Sequence, residues 1–93
     1  MFTQAQIEHL STLHFINHID DNVRIVSSIQ LHHSDIVRVE LLLNVFHHNE
    51  KIIELSFDLH NHPYQEIIDI AKNIRNNEFI MYEVDLALGG EIE

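Results

Sequence analysis

From Val23 onward the side chains alternate between two faces. Val23, Ile25, Ile29 and Leu31, with small Ser27 among them, fall on one side, and Arg24, Val26, Ser28, Gln30 and His32 on the other. A period of two marks a half-buried strand, which predicts a strand over 23–32. After a turn at His33-Ser34-Asp35 the pattern resumes over 36–47. Val37, Val39, Leu41, Leu43 and Val45 oppose Ile36, Arg38, Glu40, Leu42, Asn44 and Phe46. The stretch 48–51 turns the chain again. A third strand over 52–60 sets Ile53, Leu55, Phe57 and Leu59 against Ile52, Glu54, Ser56, Asp58 and His60. Three consecutive strands with short connections predict an antiparallel meander.

Two stretches follow a helical period instead. Over 3–13, Ile7, Leu10 and Leu13 recur at helical spacing behind Thr3, a suitable cap. Over 63–76, Ile67, Ile70, Ala71 and Ile74 form one stripe with Ile68 at its margin. Pro63 suits the first turn of that helix, Glu66 complements the dipole there, and Lys72 and Arg75 fall in its last turns. Segment 79–88 alternates again, with Ile80, Tyr82, Val84, Leu86 and Leu88 against Met81, Glu83, Asp85 and Ala87, and predicts a fourth strand. Residues 14–21 give no clear period, and Asp20-Asp21-Asn22 signals a turn. Residues 89–93 read as a loose acidic tail. The expected fold is a single α+β domain over 1–93: a short N-terminal helix, a three-stranded antiparallel meander, a second helix packed on the sheet, and a fourth C-terminal strand.

The odd-numbered face of the meander is the expected core, covered by the 63–76 helix. The even-numbered face is mixed. With three-residue hairpin turns, Ser28, Glu40 and His60 align across it, Val26, Leu42 and Asp58 form a second row, and Phe46 stands opposite Glu54. Large apolar groups on an outer face are either covered by the N-terminal helix or offered to a partner or a second copy, as anchors within an acidic rim.

Composition narrows the partner. Fifteen Asp and Glu against five Lys and Arg give a formal charge of −10 with histidine neutral. The basic residues Arg24, Arg38, Lys51, Lys72 and Arg75 are scattered, which argues against direct binding of nucleic acid or anionic lipid. An acidic surface is instead steered toward basic protein surfaces, such as the nucleic-acid grooves of enzymes. Five acids and no base fall within 78–93. On a strand, Glu83 and Asp85 would share a face about 7 Å apart, close to the spacing of phosphates along a nucleic-acid strand. The absence of cysteine excludes disulfides and thiolate chemistry. No apolar run approaches the ~20 residues of a membrane span, and the N-terminal stretch lacks the features of a secretory signal, so a cytoplasmic protein is expected.

Enzyme motifs are missing. No serine lies in a nucleophile elbow, and neither a dinucleotide fingerprint nor a P-loop occurs. The chain is expected not to be an enzyme and to need no cofactor. Nine histidines raise an alternative: His32, His33, His60 and His62, brought toward one edge of the meander, would suit zinc, nickel or copper. A second alternative is a homodimeric accessory subunit of a larger assembly.

Small size, acid excess, no cysteine, the Glu83-x-Asp85 and Glu91-x-Glu93 pairs, and a composition with 14 Ile, 8 Asn and three Ala together resemble the small acidic proteins that phages and mobile elements deploy against host defence. Anti-CRISPR and anti-restriction proteins are the obvious members. The resemblance is one of general character and carries over no residue. It implies an inhibitor that occupies the basic nucleic-acid channel of a nuclease or effector complex. The expected partner-binding residues are Glu40, Glu54, Asp58, Glu83 and Asp85, with Val26, Leu42 and Phe46 as apolar anchors.

Overall fold

A computed structural model describes residues 2–33, 37–59 and 62–89. Helix α1 spans Gln4–Thr12 and strand β1 His14–His18. Strands β2, β3 and β4 follow at Val23–His33, Val37–His47 and Glu50–Asp58. Helix α2 covers Tyr64–Lys72, a 3-10 turn Ile74–Asn76, and helix α3 Glu78–Gly89. The four strands form one antiparallel sheet in the order β1-β2-β3-β4. The α+β class and the antiparallel meander expected from the alternation are present, in an element order that differs at two places.

The first difference is β1. Residues His14 to His18 form an edge strand paired with β2, with Phe15 opposite Ser27 and Asn17 opposite Ile25. Histidines at both ends of a five-residue strand hide its alternation. Its turn closes through Asp20, whose carboxylate accepts the amides of Asn22 (2.7 Å) and Val23 (2.9 Å).

The second difference is α3. The segment 79–88 is a helix, not a fourth strand. Ile80, Val84 and Leu88 are buried, while Tyr82 and Leu86 between them are 62% and 60% exposed. Alternation and a four-residue helical repeat share the positions 80, 84 and 88, so the pattern alone fits both. Local chemistry decides. Asn77 Oδ1 accepts the Ile80 amide at 3.0 Å, an N-cap, and Met, Glu, Leu and Ala are strong helix formers. Gly89 closes this helix and is not the start of a tail; residues 90–93 lie outside the described residues.

The other helices follow their sequence signals more closely. Thr3 and Gln6 make a capping box on α1: the Gln6 amide donates to Thr3 Oγ1 (3.1 Å) and the Thr3 amide to Gln6 Oε1 (2.9 Å). Pro63 is the N-cap of α2 rather than a residue of its first turn, and the helix breaks at Asn73 (φ −121°) before the 3-10 turn.

The odd-numbered face is the core. Val23, Ile25, Ser27 and Ile29 of β2 and Val39, Leu41, Leu43 and Val45 of β3 are buried, joined by Leu10 of α1, Ile67 and Ala71 of α2, Ile74, and Ile80, Val84 and Leu88 of α3. All three helices therefore sit on one side. Ser27 is the single polar residue in this set, and its hydroxyl donates to the Ala71 carbonyl at 2.7 Å. That carbonyl lies in the last turn of α2, where helical partners run out.

The register departs from the expected one by two residues. Ser28 pairs with Leu42, Val26 with Asn44, Leu42 with Ser56, and Glu40 with Asp58 rather than His60, which lies outside the described residues. His33, expected in the first turn, still belongs to β2 and pairs with Val37; residues 34–36 lie outside the described residues. The second hairpin needs only His48 and Asn49, both left-handed at φ 53° and 67°, as a two-residue turn with matching twist requires. A bulge at Val45/Phe46 then sets Phe46 opposite Lys51 rather than Glu54. The even shift keeps side chains on their faces as far as the bulge; beyond it Lys51 joins the open face and Ile52 packs against the core.

Replacing Ser27 with Ala leaves a buried carbonyl without its donor. Urea unfolding should show a loss of about 1–3 kcal/mol, whereas an unchanged midpoint would mean that this bond does not tie β2 to α2.

Candidate functional site

Two surfaces stand out once the core is assigned. The first is the even-numbered face of the sheet. α1 packs on the core side through Leu10, so no helix among the described residues covers the even face. Its centre is Val26. Ile16, 56% exposed, pairs directly with Val26 across β1 and β2. Leu42 and Phe46 flank Asn44, the Val26 partner on β3, and so sit diagonally to Val26, within reach of long side chains. The expected anchors Val26, Leu42 and Phe46 thus do come together, with Ile16 added. Arg24 lies over the Phe46 ring, its guanidinium 4.3 Å from the centroid.

The acids expected on this face are there, but each has a basic neighbour. Asp58 meets Arg38 at 3.6 Å, Glu54 meets Lys51 at 3.8 Å, and Glu40 lies 3.3 Å from His32. Glu40, Glu54 and Asp58 are matched in number by Arg24, Arg38 and Lys51. With histidine neutral the open face sums to zero. The −10 of the chain comes from the other twelve acids, against Lys72 and Arg75 alone. An acidic rim around the apolar centre is therefore corrected to a balanced one.

The second surface is the outer side of α3. Phe79, Tyr82 and Leu86, spaced three and four apart, form a stripe with 66%, 62% and 60% exposure. It lies opposite the buried Ile80, Val84 and Leu88. At 100° per residue, Glu83 borders the stripe on one side, and Glu78 and Asp85 border it on the other. No base occurs beyond Arg75. Glu83 and Asp85 thus belong to this surface and not to the sheet. On a helix they point in different directions, which removes the phosphate-like row expected of them on a strand. Near the N-terminal end of the stripe, Phe57, Leu59, Ile70 and Phe79 line a cleft of about 500 Å³, with Asp58 and His62 also on its wall. Phe57 and Phe79 meet edge to face at 6.1 Å.

Sequence reasoning missed this stripe because it placed Tyr82 and Leu86 on a core-facing strand. The signal was available in Asn77 as a cap followed by helix-forming residues.

Of the four candidate metal ligands, the two whose side chains are described bond elsewhere. His32 is engaged with Glu40, His62 bonds Glu66 at 2.5 Å, and His9 bonds the Tyr64 hydroxyl. Among the described residues no group of three or more His, Asp or Glu side chains is arranged to hold a metal ion. The His33 side chain and His60 lie outside the described residues. No described helix is long and apolar enough to cross a membrane.

No family model, curated protein or solved structure matches the chain. Function must be argued from these two surfaces.

An uncovered face predicts a contrast between adjacent positions. Leu43→Ala should cost 2–5 kcal/mol, in the range for buried leucines. Leu42→Ala on the other face should cost about 1 kcal/mol or less. Equal losses in urea unfolding would mean that something covers the even face.

Proposed function

We propose that the protein is a binding module that docks on a basic protein surface through the α3 side of the molecule and inhibits by occupying that surface. The observation that carries this is the pairing of exposed apolar groups with unopposed acid on one helix. Phe79, Tyr82 and Leu86 supply contact area, and Glu78, Glu83 and Asp85 border them with no cation on the same helix. A helix that is apolar on two opposite faces has more apolar surface than its own fold buries. An interface core of aromatic and aliphatic anchors with a charged rim is the usual anatomy of protein association.

Charge supplies the direction. A chain at −10 is drawn to positive potential, and association of this kind is fast and sensitive to salt. The strongly basic surfaces of cytoplasmic proteins are above all those that hold nucleic acid. The partner proposed here is therefore a nucleic-acid-processing enzyme or effector complex, whose groove is blocked by protein rather than by a copy of the phosphate backbone. The resemblance to phage-encoded anti-CRISPR and anti-restriction inhibitors points the same way, and such an inhibitor would act in the host cytoplasm. Neither a bound cofactor nor a catalytic group has a role in this function.

The test is affinity capture from bacterial lysate at low and high salt, with wild type and two variants. Wild type should retain a basic nucleic-acid enzyme at low salt and release it at high salt or on adding DNA or RNA. Glu83→Lys with Asp85→Lys should cut retention at least tenfold, and Glu40→Lys with Glu54→Lys should leave it nearly unchanged. The reverse order of sensitivity would place docking on the sheet and overturn the assignment to α3.

A further inference from the structure

The open sheet face is unsuited to the basic partner just described, because its charges cancel. We infer that it is instead the meeting surface of two copies of this chain, packed sheet against sheet about a two-fold axis that runs across the strands.

Three observations select a second copy. Two molecules that each carry −10 repel one another over most of their surfaces. The even-numbered face, where three acids and three bases balance, is where that repulsion is least. It is also where apolar groups are left over: exposed Ile16 and half-buried Val26, Leu42 and Phe46 lie together at its centre with no described helix above them.

The charges are moreover unequal between the two ends: with Glu54 beside Lys51 and Arg38 beside Asp58, one end keeps a net positive charge and the other a net negative one. Arg24 and Lys51 share the cross-strand row of Phe46, next to the two-residue hairpin. Glu40 and Asp58 pair with each other in a row toward the opposite end, beyond Leu42. A two-fold axis across the strands reverses one sheet over the other. It brings the Arg24 and Lys51 end of each copy onto the Glu40 and Asp58 end of its mate, twice by symmetry, with the apolar centre on the axis. An isologous interface needs this kind of self-complementarity. Sheets packed face to face keep their strands within about 30° of parallel or antiparallel alignment, which permits the arrangement.

The size is adequate. Four strands about 4.8 Å apart and nine residues at about 3.3 Å give a face of roughly 19 by 30 Å. Two such faces bury on the order of 1,200 Å², the lower end of the range for specific interfaces. A reversible dimer is expected, with α3 of each copy on the outside and its stripe unobstructed. The dimer does not depend on the function proposed for α3.

Sedimentation velocity of purified full-length protein from about 1 to 500 μM tests this directly. Wild type should pass from monomer to dimer within that range. Leu42→Asp and, separately, Val26→Lys should remain monomeric throughout while keeping the wild-type circular dichroism spectrum. Lys51→Glu and Asp58→Lys should each weaken dimerisation at least tenfold, and the two together should bind at least tenfold tighter than either alone. Leu86→Ser should dimerise like wild type. A wild type that stays monomeric at 500 μM would overturn the inference. So would a dimer lost in Leu86→Ser but kept in Leu42→Asp, which would place the contact on α3.

Discussion

Burial of the odd-numbered side chains of β2 and β3 is the constraint from which the other features follow. Ile25, Ile29, Val39, Leu41, Leu43 and Val45 are almost completely withdrawn from water, and they are withdrawn on one side only. A sheet of four strands with a continuous apolar face must cover that face with something. The chain supplies α1 from before the sheet and α2 and α3 from after it. Placing all three helices on one face leaves none for the other. That Val26, Leu42 and Phe46 are only half-buried, and Ile16 exposed, is thus a consequence of how the core is built, and so is the outward turn of the second apolar side of α3.

Charge is sorted by the same division. On the open face three acids and three bases sum to zero, with Arg38 and Asp58 meeting between strands and Lys51 and Glu54 within β4. The helices and turns hold nearly all of the uncompensated acid. A charge of −10 says nothing by itself about where a partner docks. Its distribution does, because an apolar stripe bordered by carboxylates and an apolar patch with balanced charges fit different partners. The two surfaces lie on different sides of the molecule, so a dimer formed through the sheet would present two acidic stripes to a partner. Two linked sites raise avidity without any new contact, provided that their spacing suits the target.

Much of the fold was legible because strand alternation leaves few options. The meander, its core face and the α2 stripe all came from spacing alone, and a two-residue error in register kept side chains on their sides as far as the bulge beside Phe46. What was not legible had physical causes. His14 and His18 flank β1 and mask its period. The left-handed pair His48-Asn49 lacks the glycine that usually announces a tight hairpin. In α3, buried positions four apart satisfy period two as well as a helix, and the cap at Asn77 was the discriminating signal. Val26, Leu42 and Phe46 do lie together on one sheet face, whereas Glu83 and Asp85 were singled out on a strand that does not exist. Their carboxylates border an apolar stripe instead of imitating phosphates.

Both surfaces depend on one face of the sheet being sealed by helices and the other being open at the level of the single protomer. The chain has no cysteine, so single cysteines can be introduced and their reaction with a thiol reagent followed in native buffer. The most direct measurement is that rate at Leu42→Cys, Val26→Cys and Leu86→Cys against Leu43→Cys, Ile25→Cys and Val84→Cys, at micromolar protein. Leu86→Cys should react at close to the rate of the unfolded chain, the half-buried positions 26 and 42 more slowly, and the last three slower than these by orders of magnitude. Protection at 26 and 42 equal to that at 25 and 43 would contradict the account, because a buried even-numbered face would leave no open sheet on which to build it.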